Sequence, residues 1–152
     1  MHKRKTTWIV TLDGARAEIY EGNVLNGGLK LLADGSFDGS RALTQAINSD
    51  RPGHTQESVG GARHAIEPHT DAHRHAESEF VRKVAKHLQQ AAQQRRFDEL
   101  VIVAAPRALG DVRAALDEPF RDKYVTLEIA HDWTKLSPTE VAAHLRPHFS
   151  LQ

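Results

Sequence analysis

The feature that most constrains the fold is a long stretch of helical periodicity in the middle of the chain. Over residues 71–95 an apolar side chain recurs at every fourth position, the spacing of one helix face. At ~1.5 Å per residue such a helix is roughly 37 Å long, enough to cross a whole domain. The stripe consists of Ala72, Ala76, Phe80, Val84, Leu88 and Ala92, with Val81 and Ala85 beside it.

Strand patterns precede this helix. Residues 7–12 are β-rich and are followed by Asp13-Gly14, a strong signal for a two-residue hairpin turn. Residues 17–21 alternate polar and apolar side chains as a return strand, and residues 29–32 predict a third strand after further turns. The N-terminal part is therefore predicted to be an antiparallel meander with one buried face.

Strands and helices alternate after the long helix. Residues 99–104 are short, continuous and β-branched, which favours a buried strand, and residues 124–129 alternate as another strand. A helix over residues 109–116 separates these two strands. The capping box Ser137-Pro138-Thr139-Glu140 begins a last helix.

Length and composition fit one globular domain. The chain has 152 residues, of which 39% are hydrophobic and 26% charged. We predict an α/β fold: a single domain over residues 1–152 with a mixed β-sheet, an N-terminal antiparallel meander, one long helix and two shorter helices packed on it. A short helix over residues 41–47 and a mobile loop over residues 48–68 connect the meander to the long helix.

Charge and cysteine content exclude several classes of function. The 20 Lys and Arg residues balance 20 Asp and Glu residues, which argues against binding of polyanions by bulk charge but not against a local basic face. The absence of cysteine excludes a disulfide framework, a thiol nucleophile and Cys-ligated metal. Phosphate-binding and dinucleotide fingerprints, a nucleophile elbow and a zinc-protease helix are absent as well.

Hydropathy predicts a cytoplasmic protein with no membrane insertion. The longest apolar run, residues 101–105, is far shorter than the ~20 residues that span a bilayer. The basic N-terminal residues are followed by too short an apolar stretch for a signal peptide.

Histidines are concentrated around the predicted loop. Half of the ten lie within about two dozen residues: His54, His64, His69, His73 and His75. His69 and His73 share a helix face if the long helix begins early enough, and with His64 and Asp71 they form a candidate site for zinc or nickel. The alternative is a set of solvent-facing histidines in a protein without a resident cofactor. No nucleophile is placed for these histidines to activate, so no catalytic residue is assigned.

A second set of residues is suited to contacts with phosphates. Paired glycines allow close backbone approach, the second half of the long helix is basic, and the position after a buried strand is a common ligand site. The alternative is a flexible loop with solvated charges and a strand ended by proline. The candidate RNA- or ligand-binding residues are Arg51, Gly60, Gly61, Arg63, Arg82, Lys83, Lys86 and Arg107.

Five segments form an ordered set of motifs along nearly the whole chain. They are residues 8–17, Asp50-Arg51-Pro52-Gly53, residues 65–71, residues 100–110 and His131-Asp132-Trp133-Thr134. This set resembles the bacterial host-attachment protein family, described as required for attachment to host cells. The description is a phenotype and implies no reaction.

A more distant resemblance involves the loop and the long helix. Residues 59–63, Val-Gly-Gly-Ala-Arg, precede a helix that contains Phe80-Val81-Arg82-Lys83-Val84-Ala85. This arrangement resembles the middle domain of archaeal and eukaryotic peptide-release factors, where a Gly-Gly-Gln loop precedes a long basic helix. The resemblance implies an RNA-binding surface on the loop glycines and the helix. Ala62 stands in the place of the glutamine that orients the hydrolytic water, so the resemblance implies no hydrolysis by that mechanism.

Three functional hypotheses follow. The first is a cytoplasmic, non-catalytic RNA-binding or regulatory module with a release-factor-like fold, whose partner is tRNA or the ribosome. The second is a metal-binding protein or metal-dependent hydrolase built on His64, His69 and His73. The third is a protein–protein interaction module that affects attachment through a protein partner.

Overall fold

The computed structural model describes residues 4–26, 28–49 and 66–150, which form five strands and five helices. The strands are β1 (Thr7–Leu12), β2 (Arg16–Asn23), β3 (Gly28–Asp38), β4 (Glu99–Ala104) and β5 (Val125–Ile129). The helices are α1 (Ser40–Ser49), α2 (Ile66–Gln93), α3 (Pro106–Ala115), α4 (Glu118–Tyr124) and α5 (Pro138–Ser150). The predicted α/β class is confirmed.

The strands form one mixed sheet in the order β3-β2-β1-β4-β5. The antiparallel pairing of β1 with β2 and of β2 with β3 confirms the predicted meander. β4 lies parallel to β1, and β5 lies parallel to β4. The chain leaves β1 for β2 on one side and leaves β4 for β5 on the other, so the boundary between β1 and β4 is a topological switch point.

Helices cover both faces of the sheet. Along β1, Trp8, Val10 and Leu12 pack in a cluster with α2 and α3, because successive side chains of a strand point to opposite faces. Ile9 packs on the opposite face, in a cluster with Val141 and Leu145 of α5. β1 and β4 are therefore apolar at nearly every position, as strands buried on both faces must be.

The long helix α2 buries the predicted apolar stripe. Phe80, Val84, Leu88 and Ala92 are all at most 7% exposed. The helix has 28 residues and begins at Ile66, earlier than predicted. α1 ends at Ser49, so the predicted loop over residues 48–68 is helical at both ends, and residues 50–65 lie outside the described residues.

Three local predictions are corrected by the structure. The turn after β1 is centred on Gly14 and Ala15 rather than on Asp13 and Gly14, because the Asp13 N–H donates to the Arg16 carbonyl (2.9 Å) and β2 begins at Arg16. β3 continues to Asp38 instead of ending at residue 32, since it pairs with β2 on both sides of an irregularity between Glu18 and Tyr20. The short helix α4 was not predicted; the Asp117 carboxylate caps it by accepting from the Phe120 N–H (2.8 Å).

The last helix begins as predicted. The Ser137 N–H donates to the Glu140 carboxylate (2.9 Å), and the Glu140 N–H donates to the Ser137 hydroxyl (3.2 Å), which completes the capping box. The hydrogen bond from the Ser137 N–H favours the ionised carboxylate and, with the neighbouring Ser137 side chain, lowers the pKa of Glu140. Among the helices that the structure describes, none has the length and apolar character that crossing a bilayer requires.

Candidate functional site

A crevice opens at the switch point, where β1 and β4 end side by side. Leu12 and Ala104, the last residues of these parallel strands, are register partners. The segments that follow them therefore leave the sheet at the same edge, and α2 and α3 form the walls. The crevice encloses about 270 Å³ and is lined by Asp13, Gly14, Ala15, Leu43, His73, Arg74, Glu77, Ala105, Arg107, Ala108 and Asp111.

The Arg74 side chain joins α2 to α3 through a two-pronged ion pair. Its Nη1 donates to Asp111 Oδ2 (2.7 Å), and its Nη2 donates to Asp111 Oδ1 (2.6 Å). This geometry uses both carboxylate oxygens and fixes the two helices relative to each other. The hydrogen bonds with Asp111 raise the pKa of the Arg74 guanidinium, which keeps it cationic.

The Glu77 carboxylate has an oxygen that is shielded from solvent and accepts no hydrogen bond from the residues that the structure describes. This oxygen, Oε1, lies 3.7 Å from Nη1 of Arg74, 3.7 Å from Nη1 of Arg107 and 3.9 Å from Nδ1 of His73. The cations offset its charge, but each is too distant for a hydrogen bond. A desolvated acceptor without a hydrogen-bond partner lowers the free energy of unfolding by about 1–3 kcal/mol. This oxygen is therefore a candidate acceptor for a hydrogen bond from a ligand.

The turn after β1 closes on the other side of Glu77. The Asp13 carboxylate accepts from the N–H groups of Ala15 and Arg16 (both 2.8 Å), which shapes the turn. A Cβ added at Gly14 would lie 2.6 Å from Glu77 Oε2. Glycine is therefore the residue that lets the turn approach the carboxylate.

Arg107 supplies the accessible positive charge of the crevice. It is the second residue of α3, and its side chain is 69% exposed. Its ion pair with Glu77 at 3.7 Å is too long for a hydrogen bond, so its N–H donors remain available to a ligand. Arg107, which was predicted to bind a ligand because it follows a buried strand, thus lines the crevice.

The other predicted cations lie on a different face of α2. Arg82, Lys83 and Lys86 are all exposed. Glu77 and Lys83 are six positions apart on the helix, so they point roughly 120° away from each other. Arg82 pairs with Glu79, whereas Lys83 and Lys86 form no ion pair with a described residue. The structure therefore separates Arg107 from this basic segment of α2.

Several predicted site residues lie outside the described part of the chain: Arg51, Gly60, Gly61, Ala62, Arg63 and His64. His69 belongs to α2, but its side chain is also outside that part. Asp71 and His73 are two positions apart on the helix, and Asp71 points to solvent while His73 lines the crevice. Within the described residues, no three His, Asp or Glu side chains are grouped so that they could hold a metal ion.

Sequence reasoning did not identify the acidic half of the crevice. Neither Glu77 nor Asp111 belongs to a motif that the sequence singles out. A usable signal was present: Asp13-Gly14 follows one strand and Ala105-Pro106-Arg107 follows another. Parallel pairing of these two strands would have brought both segments to the same edge.

Comparison with known proteins gives the family. The sequence model of the family described as "Protein required for attachment to host cells" matches residues 8–145. The chain belongs to this family. The match covers the sheet except Thr7 and every lining residue of the crevice, and it confirms the resemblance to the host-attachment family.

A bacterial relative shares part of the sequence. An uncharacterized protein of Rickettsia prowazekii (strain Madrid E) is 43% identical to this host-attachment family member over 69 residues. The matched segment covers 44% of this chain and 45% of the relative. The chain therefore matches less than half of the length of that protein.

Proposed function

We propose that this host-attachment family member is a cytoplasmic RNA-binding module without catalytic activity of its own, with tRNA or the ribosome as its partner. Lys83 and Lys86, with Arg82 beside them, would contact RNA phosphates from the exposed face of α2. The observation that carries the proposal is that these two lysines are neighbouring, exposed and without a carboxylate partner among the described residues.

Most arginines around the sheet are paired, which makes the free lysines informative. Arg74 is bound by Asp111, Arg96 by Asp34 and Arg113 by Glu128, each through two hydrogen bonds. Lys83 and Lys86 are three positions apart, so their side chains are neighbours on one helix face. Cations placed in this way are suited to phosphate contacts that position a protein on RNA without reading its sequence.

The predicted loop residues extend this surface in the proposal. Arg51, Gly60, Gly61 and Arg63 precede α2 in the sequence and would add phosphate contacts near its start. The resemblance to the middle domain of release factors supports the same assignment. Because Ala62 stands where that domain has its catalytic glutamine, the proposal includes no hydrolysis of peptidyl-tRNA.

Salt-dependent binding of tRNA tests the proposal. Filter retention of tRNA and co-sedimentation with ribosomes are measured for the unaltered protein and for Lys83→Gln/Lys86→Gln. Each lost phosphate contact flattens the slope of log K against log salt by roughly 0.7 to 0.9, so the double variant should lose about 1.4 to 1.8. The matched control is Lys135→Gln/Arg146→Gln, which removes two exposed cations from the loop before α5 and from α5 itself.

Two results would contradict the RNA proposal. One is the absence of tRNA retention and ribosome co-sedimentation at low salt. The other is an equal loss of slope in the control variant, which would indicate binding by average charge rather than by the α2 surface. Recovery of a specific protein partner without RNA would instead favour an interaction module.

A metal site is a second candidate, favoured by the early start of α2. Because the helix begins at Ile66, both His69 and His73 lie within it, four positions apart, which places them on one face. With His64 and Asp71 they are the residues proposed to bind zinc or nickel. Elemental analysis after chelation and re-addition of each metal tests this. If His69→Ala/His73→Ala leaves metal content and melting temperature unchanged, the metal proposal fails.

A further inference from the structure

The crevice contains two groups that have no hydrogen-bonding partner within the described part of the chain. One is Glu77 Oε1, an anionic acceptor shielded from solvent. The other is the Arg107 guanidinium, a cationic donor that faces solvent at the mouth. They lie 3.7 Å apart, so one small ligand can contact both once the exposed Arg107 side chain moves outward from Glu77 Oε1. Arg74 is less available to a ligand, since both of its terminal nitrogens donate to Asp111.

Glu77 and Arg107 together carry no net charge, and this determines the charges of a ligand that fits. A phosphate or another multiply charged anion would bind Arg107 but would face the negative charge of Glu77. In a ligand with an ammonium group beside a carboxylate, the ammonium group can face Glu77 while the carboxylate faces Arg107. It would give Glu77 a donor and Arg107 an acceptor, so both charges would be hydrogen-bonded.

Size and wall chemistry narrow the choice further. A volume of about 270 Å³ lies just below the ~300–1,000 Å³ of pockets that take drug-sized molecules, which favours a small ligand. Part of the wall is apolar, formed by the side chains of Leu43, Ala105 and Ala108. This combination suits a compact molecule with a charged end and a short side chain.

We propose that the crevice binds a free α-amino acid, with Glu77 receiving the α-ammonium group and Arg107 the α-carboxylate. The proposal does not depend on RNA binding, because its residues lie on a different face of α2 from Lys83 and Lys86. Gly14 has a positioning role, since its lack of a side chain lets the turn hold the Glu77 carboxylate from the other side.

Thermal unfolding of the protein with each of the twenty standard amino acids tests the proposal. At a concentration of roughly one hundred times Kd, a ligand of the native state should raise Tm by about 5–10 °C for a chain of this size. The N-acetyl and the carboxamide derivatives of the best amino acid each lack one charge. Loss of the ammonium group should weaken binding at least ~30-fold, because the shielded Glu77 charge is left unpaired. Loss of the carboxylate charge should weaken it by up to about 5-fold, because Arg107 faces solvent.

Variants assign the two charges to their residues. Glu77→Gln should lower the affinity for the amino acid at least ~30-fold and Arg107→Gln by up to about 5-fold, whereas Arg146→Gln, an exposed arginine on α5, should leave it unchanged. The derivative series on the unaltered protein still tests the proposal if the Glu77 variant does not fold. The proposal is overturned if no amino acid raises Tm, if the N-acetyl derivative binds as well as its parent, or if only inorganic phosphate stabilises the protein.

Discussion

The two faces of α2 handle charge in different ways. On the face that lines the crevice, Arg74 and Glu77 each have an opposite charge within 4 Å, and both are partly buried. On the outer face, Lys83 and Lys86 have no such partner among the described residues. Positive and negative side chains are equal in number in this chain. Cations paired with carboxylates, such as Arg74, therefore connect parts of the fold, whereas Lys83 and Lys86 remain available to a partner.

The largest difference between the two faces should be in stability. Leu88→Ala removes a side chain that is 1% exposed in the core beneath α2, which should cost about 2–5 kcal/mol of unfolding free energy. Lys86→Ala, two positions earlier on the outer face, should change it by less than about 0.5 kcal/mol. Urea unfolding followed by tryptophan fluorescence measures both. Comparable losses of unfolding free energy in the two variants would mean that Lys86 makes stabilising contacts within the protein.

The second prediction compares ion pairs on the two faces. Arg74→Ala leaves the Asp111 carboxylate, whose side chain is 15% exposed, without its partner and should cost roughly 2 kcal/mol. A double-mutant cycle of Arg74 with Asp111 should give a coupling of about 1–2 kcal/mol. The control cycle of Arg82 with Glu79, both at least half exposed, should give about 0.5 kcal/mol or less. Equal couplings would contradict the distinction between the faces.

The third prediction uses two glycines that flank the crevice. Gly14→Ala places a methyl group against Glu77 and should cost about 1–2 kcal/mol, since the carboxylate must move. Gly110→Ala adds a methyl group inside α3 where nothing lies within 4 Å, and it should stabilise by up to about 1 kcal/mol. The melting temperature should fall for Gly14→Ala and rise for Gly110→Ala. Adding Glu77→Ala should recover most of the Gly14→Ala loss, and failure to do so would place the strain elsewhere.

The elements that follow from the sequence are those whose burial leaves a local pattern. The stripe of α2 could be predicted because one face packs on the sheet at helical spacing. β4 could be predicted because it is buried on both faces and is therefore uniformly apolar. The capping box at Ser137 and Glu140 is a contact between residues three positions apart, so local sequence contains it completely.

The crevice could not be predicted in the same way, because its contacts join distant segments. Arg74 and Asp111 are 37 positions apart, and only the packing of α2 against α3 brings them together. The helical period places Glu77 and His73 on one face, but it does not say that this face meets the turn after β1. Arg107 could be predicted because ligands often bind beyond the carboxyl ends of the strands of a sheet. This prediction depends on where the residue stands relative to the sheet and not on its being an arginine.

The smallest predicted effect concerns an exposed ion pair at the far end of α2. The hydrogen bonds from Arg96, at 2.7 and 3.0 Å, lower the pKa of Asp34. A carboxylate whose pKa is lower in the folded state stabilises the protein above its unfolded pKa of about 3.9, and this contribution is lost as the pH falls through that range. Because the Asp34 side chain is 48% exposed, solvent screening should limit the contribution to about 1 kcal/mol or less.

Comparison of Asp34→Asn with the unaltered protein isolates this contribution. The variant should be slightly less stable at pH 7, and the difference should shrink as the pH is lowered below 4, where the native aspartate becomes protonated. Asp111→Asn should show a larger difference at pH 7, because its pair with Arg74 is less exposed. A larger effect for Asp34→Asn would mean that burial in the crevice does not strengthen the pairing of its charges, and the contrast between the paired face and the free face of α2 would lose its energetic basis.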